Sequence, residues 1–190
     1  MRFEKKSDLY YLAGTCAFVL AFLGVLGISR AIYAAPATGA DSQFAMKAAQ
    51  GGLAEVQMGQ LAESKGNSDS IREFGKRMVN DHSKANEQLK QIAQQESINL
   101  PVDMNRMDQA TYDRLSKLSG AEFDREYAKL MVKDHEKDVA EFQKESRDGE
   151  DDSIKTFATQ ILPTLKEHLQ LAKQMEKSAM SASASSNSKM

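Results

Sequence analysis

Cysteine is almost missing from this chain: Cys16 is the only one in 190 residues. A single thiol makes no intrachain disulfide, so the fold has to be held by its core. Tryptophan is absent, and no stretch alternates apolar and polar residues long enough to read as a strand. An excess of charge of either sign is missing too, with 25 basic and 27 acidic residues. Outside residues 1–37 the balance is 21 basic to 25 acidic, interspersed. A weakly acidic, mixed surface argues against nucleic acid as a partner. No phosphate-cradling loop and no nucleophile–base pair is visible, which speaks against kinase and hydrolase chemistry. The chain has only three histidines.

The one long apolar run is Leu9 to Ile28, preceded by Arg2, Lys5 and Lys6 and followed by Ala35-Pro36-Ala37. Basic, apolar and small-residue segments in that order are the layout of a secretory signal, cut near Ala37 so that the mature chain begins near Thr38. The run is also about long enough to span a bilayer, so an uncleaved N-terminal anchor through residues 9–28 is the second reading. Both send the remainder out of the cytoplasm, to the periplasm or cell envelope. Cys16 lies too early in the run, after Ala13-Gly14-Thr15, to be a lipidation site.

The exported part, residues 38–177, reads as all-α. Helices are expected over about 42–65, 70–97, 120–147 and 153–177. Capping boxes at Ser70–Glu73 and Ser119–Glu122 mark the second and third starts, and Gly66 closes the first helix. A short amphipathic helix is expected near 108–118, after a break at Leu100-Pro101. Pro163 should kink the last helix. Two short links and one long one give two antiparallel hairpins joined by a crossover. The expected fold is therefore a ferritin-like four-helix bundle whose long connection carries a short extra helix, with the second and third long helices parallel. Residues 178–190 are Ser/Ala-rich without apolar period and read as a disordered tail.

Phe74 to Lys84 is repeated as Tyr127 to Lys137, with Lys, Met, Val, Asp, His and Lys matching. His82 and His135 are equivalent positions of the repeat, and each lies in an apolar seam. His168 lies in the seam of the last helix. The first helix carries a stripe of small residues interrupted by Glu55: Ala45, Ala48, Gly52, Glu55, Gly59 and Ala62. Small residues let a neighbouring helix come close. At 1.5 Å per residue, Glu55, His82, His135 and His168 all lie about 15–22 Å from their helix ends and fall at one depth.

Three imidazoles and a carboxylate suit a transition metal such as Zn, Cu, Fe or Mn. Met78 and Met131 sit one turn before two of the histidines, and thioether ligands would bias the site towards copper. The competing readings are a metal-free polar layer, stable if every polar atom has a partner, and methionines that simply fill gaps. Asp81, Asp134 and Glu167 each precede a histidine and point about 100° away from it, so they read as helix-interface or surface groups. The acidic turn around Gly149 lacks calcium-loop spacing and reads as a solvated cap.

Several short motifs occur in a specific order: Ala54-Glu55, Met78-Val79-x-Asp81-His82, Leu100-Pro101, Leu118-Ser119-Gly120-x-x-Phe123-Asp124 and Leu162-Pro163-x-Leu165-x-x-His168-Leu169. Over about residues 41–177 they resemble an exported bacterial family of unknown function, whose members are commonly labelled outer membrane proteins. The resemblance implies a ferritin-like helical domain and no established activity. The amphipathic strands of a membrane barrel are not present in the sequence. Residues three before the histidines are Val79, Val132 and Leu165, so the Glu-x-x-His pattern of di-iron bundles is missing as well. The sequence leaves two functions open. One is a metal-binding or metal-handling protein. The other is a non-enzymatic envelope or stress-related module that works through its surface.

Overall fold

A computed structural model describes residues 39–187, with side chains through 181. The expected signal or anchor, residues 1–37, lies outside the described residues. Among the described residues, no helix is long and apolar enough to cross a membrane.

Five helices and no strand make up the described residues. They are α1 (Gly39–Lys65), α2 (Asp69–Gln95), α3 (Arg106–Ser116), α4 (Gly120–Asp148) and α5 (Asp152–Asn187). The all-α expectation holds, and α3 is the short helix on the crossover. Pro163 lies inside α5 without ending it. α5 also runs ten residues beyond Lys177, into the tail expected to be disordered. Extending a formed helix fixes one residue per hydrogen bond, and alanine is the best helix former, so an apolar period is not needed there.

Pairs of residues across the bundle give its topology. Arg77, Asp81 and Gln88 on α2 meet Glu167, His168 and Gln160 on α5, so these helices run antiparallel. Asp41, at the start of α1, bonds the turn after α4, and Asp124, at the start of α4, bonds the turn after α1. α1 and α4 are therefore antiparallel as well. It follows that α2 and α4 are parallel, as the long crossover requires.

Asp124 also stands in for the box expected at the start of α2, while Asp41 holds the turn that leads into α5. The N-caps of α2 and α4 are Ser68 and Ser119, and neither side chain makes a cap bond. Instead the buried Asp124 carboxylate accepts the N–H groups of Asn67 and Ser68 at 2.8 and 2.9 Å. Asp41 accepts those of Glu150 and Asp151 at 3.3 and 3.0 Å. A carboxylate reaching across the bundle satisfies the orphan donors of a helix start as well as a local cap does, and it also ties the two hairpins together. Gly120, at φ +58°, occupies the left-handed region where the second box was expected.

α1 and α2 cross closely. A Cβ at Gly75 would stand 2.6 Å from the carbonyl oxygen of Gly59, and one at Gly59 would stand 2.7 Å from that of Gly75. This is the close approach expected of the small-residue stripe.

The core has two apolar clusters. One contains Phe74, Met78, Phe123, Tyr127, Met131 and Ala172. The other contains Phe44, Leu89, Phe142, Phe157 and Leu165. Along α2, α4 and α5 the residues between the clusters are His82, His135 and His168. The polar layer divides the core.

Candidate metal centre

Each histidine occupies an inward seam position because its neighbours one or two turns away on the same face are apolar. On α2 these are Met78, Ala85 and Leu89, on α4 Met131 and Val139, and on α5 Leu165 and Ala172. His82, His135 and His168 retain 7, 0 and 1% of their surface exposed. Their ring centroids are 5.9 Å (82–135), 5.5 Å (82–168) and 5.3 Å (135–168) apart. One ring nitrogen of each lies within 4.8 Å of the other two. Phe74 packs edge-on against His135 and His168, at 6.1 and 6.2 Å between centroids, and closes the site on the Tyr127 side.

Hydrogen bonds fix which nitrogens carry protons. His135 Nδ1 is 2.9 Å from the carbonyl oxygen of Met131, one turn back. A carbonyl only accepts, so Nδ1–H donates and Nε2 keeps a lone pair. His168 Nε2 is 3.0 Å from Asp81 Oδ2, so Nε2–H donates and the lone pair is on Nδ1. His135 Nε2, His168 Nδ1 and His82 Nε2 are all buried and have no hydrogen-bond partner. Carbonyl and carboxylate bonds of this kind are what orient imidazoles that ligate metals.

The surroundings favour neutral rings. Burial pushes His135 down to about 4, with His168 adding to the shift and the Met131 bond opposing it. Burial, then His135 and His168, holds His82 well below its usual value. Burial lowers His168, against the pull of Asp81. Neutral imidazole is the ligating form.

Bonds of 2.0–2.1 Å in a tetrahedral centre put ligand nitrogens roughly 3.4 Å apart. The three nitrogens, at most 4.8 Å apart, stand within about 1.4 Å of that spacing. Three nitrogen donors then leave one coordination position open.

Glu55 is not in this close group. It is 4% exposed with Oε2 unpartnered, and it lines a neighbouring cavity together with His82, Asp108, Asp134 and Asp138. Burial holds its carboxyl well above the usual range, and Asp134, Asp138 and Asp108 raise it further. The layer expected from depth alone is thus three imidazoles, with Glu55 set to one side. Met78 and Met131 are fully buried and pack in the Phe74–Tyr127 cluster, as gap-filling residues do. Asp81 is a helix-interface group, as expected, and its bond to His168 gives it a role at the centre. Asp108 and Asp138 were not singled out from the sequence. The available signal was the i, i+4 spacing of Asp134 and Asp138, which stacks two carboxylates on one face of the helix.

The chain belongs to a family described as a domain of unknown function, DUF4142, whose model matches residues 29–175. This agrees with the resemblance drawn from its motifs. The fold is similar to that of a DUF305 fragment from Deinococcus radiodurans, known from its crystal structure, with a TM-score of 0.67. The two are 14% identical over 75% of this chain and 99% of that one, and the likeness is one of fold alone. No curated protein matches this chain.

Proposed function

We propose that this protein binds a single transition-metal ion through His82 Nε2, His135 Nε2 and His168 Nδ1. The observation that carries the reading is the pattern of lone pairs. Three buried imidazole nitrogens lack partners, and two of them are held as lone pairs by hydrogen bonds on the opposite side of the ring. A metal-free layer would satisfy its own polar atoms, since each orphan costs about 1–3 kcal/mol. A metal ion satisfies all three together. Neutral nitrogen donors suit zinc or copper better than the oxygen-preferring ions.

The role is metal handling rather than catalysis. The centre lies between two apolar clusters, sealed among side chains that hold an ion more readily than they admit a substrate. The basic, apolar and small-residue order of residues 1–37 supports export, so the domain would handle its ion in the periplasm or envelope. A mature N-terminus near Thr38, read by sequencing protein recovered from that compartment, tests the export half of the proposal.

Metal content and thermal unfolding, measured with Zn, Cu, Mn and Fe, test the metal half. We expect one equivalent of zinc or copper at the imidazoles and a rise in Tm with that ion that His135→Leu abolishes. The stabilisation should weaken near pH 5, where protons compete for the imidazoles. The absence of any shift with all four metals would defeat the proposal.

A further inference from the structure

The cavity beside the imidazoles has a chemistry of its own. Its volume is about 130 Å³, and carboxylates from three helices line it: Glu55 of α1, Asp108 of α3, and Asp134, Asp138 and Glu141 of α4. Only Lys47 and Lys137 bring positive charge to its wall, and Lys137 reaches Glu141 at 4.0 Å. Glu55 is the telling member. Its carboxyl is buried, and Oε2 has no hydrogen-bond partner. A buried, unpartnered carboxylate oxygen facing other carboxylates lacks the compensation that such groups normally have.

We propose that this cavity is a second cation site, built of oxygen ligands, that takes a partly hydrated divalent ion of the magnesium or manganese kind. Among the described residues, these carboxylates do not form a close group of three like that of the imidazoles. The ion is therefore held by one or two carboxylates directly and by the others through water. Magnesium-sized ions bind in that manner, because they dehydrate reluctantly. The volume has room for the water, at about 30 Å³ of liquid for each molecule. Glu55 and Asp138 are the principal ligands. His82 lines the cavity and belongs to the imidazole group, so the two sites share one wall. Their donors sort ions by type, with oxygen for the hard cation and nitrogen for the borderline one.

The site stands or falls separately from the imidazole centre. Its test is Mn²⁺ titration of the full chain, followed by loss of the free-ion EPR signal. The wild type and His135→Leu should each hold one Mn²⁺, with a Kd no weaker than about 1 mM. Glu55→Gln combined with Asp138→Asn should weaken Mn²⁺ about tenfold or more while zinc uptake stays unchanged. If that pair does not fold, by circular dichroism, Asp108→Asn on the half-buried α3 takes its place, with a smaller loss expected. Three outcomes would overturn the site: no Mn²⁺ bound by the wild type, equal binding by the carboxylate variants, or loss of Mn²⁺ in His135→Leu alone. Absence of zinc uptake with Mn²⁺ retained would instead defeat the imidazole centre and leave this site standing.

Discussion

Replacing His135 by Leu should change the stability of the metal-free protein by an amount that depends on pH in a defined direction. Folded His135 is held down to about 4, chiefly by burial and then by His168, from an ordinary value of 6.5. Between those limits the unfolded chain takes up a proton that the folded one refuses. Stability is therefore whole above pH 6.5, falls as pH drops through the window and is level again below about 4. At 1.36 kcal/mol per pH unit, the full loss is about 3 kcal/mol. The carboxylates run the other way. Burial, then Asp134, pushes Asp138 up to about 7, and burial, then Asp108, pushes Asp134 up to about 6. They keep protons in the fold that the unfolded chain releases, so their contribution falls as pH rises. The wild-type curve mixes both signs, but the difference between wild type and His135→Leu cancels the carboxylates. Urea unfolding of both proteins in EDTA, from pH 7.5 to 4, gives that difference. Leu should gain on His by about 3 kcal/mol across the window. A flat difference, or one that favours His at low pH, would refute the claim that the ring is buried neutral.

Three further predictions follow from single contacts. Asp81→Asn loses the carboxylate that orients His168, so zinc affinity by competitive chelator titration should fall about 10–100-fold with little change in Tm; unchanged affinity would show that the bond is incidental. Gly75→Ala forces a Cβ against the Gly59 carbonyl and should cost about 1–3 kcal/mol in urea unfolding, whereas Gly51→Ala meets no atom within 4 Å and should stabilise α1 by up to about 1 kcal/mol; equal effects would mean the helices are not in contact there. Asp124→Ala strips the partner from two backbone N–H groups, and a loss of roughly 2 kcal/mol is expected, with amide exchange quickening at Asn67 and Ser68; protection retained there would contradict the clasp.

Whatever depends on distance along a helix could be read from the sequence. The apolar seams gave the four long helices, the links gave the crossover, and 1.5 Å per residue brought three histidines to one layer. Rotation about the helix axis could not be read as well. Glu55 is at the right depth, but the small residues on either side of it, Gly52 and Gly59, face Asn86 and Gly75 of α2. Its carboxyl is left beside Asp108 and Asp134, off the imidazoles. The capping boxes failed for a related reason. A box is a local motif, while the group that meets the start of α2, Asp124, comes from more than 50 residues away, and the start of α4 is shaped by the left-handed Gly120. Nothing in a local pattern shows such a partner.

The duplicated segment shows how one motif does two jobs in one bundle. Asp81-His82 and Asp134-His135 are equivalent, and they lie on parallel helices at one depth. Each histidine points inward and brings a ring nitrogen within 4.8 Å of those of the other and of His168. Each aspartate points about 100° to the side, so its partner is decided by the neighbouring helix. On α2 that neighbour is α5, and Asp81 meets the ring of His168 at 3.0 Å. On α4 the corresponding space is bordered by α1 and α3, which bring Glu55 and Asp108 in place of a histidine. One aspartate orients an imidazole, and the other lines an acidic cavity. The repeat alone would have assigned both the same role. If the cavity holds a cation, Asp134→Asn should weaken Mn²⁺ and leave zinc in place, and Asp81→Asn should do the reverse. Titrating the two variants with both ions measures this directly. Variants that affected the same ion would mean that the aspartates still act alike, and that the structural difference between them has no consequence for binding.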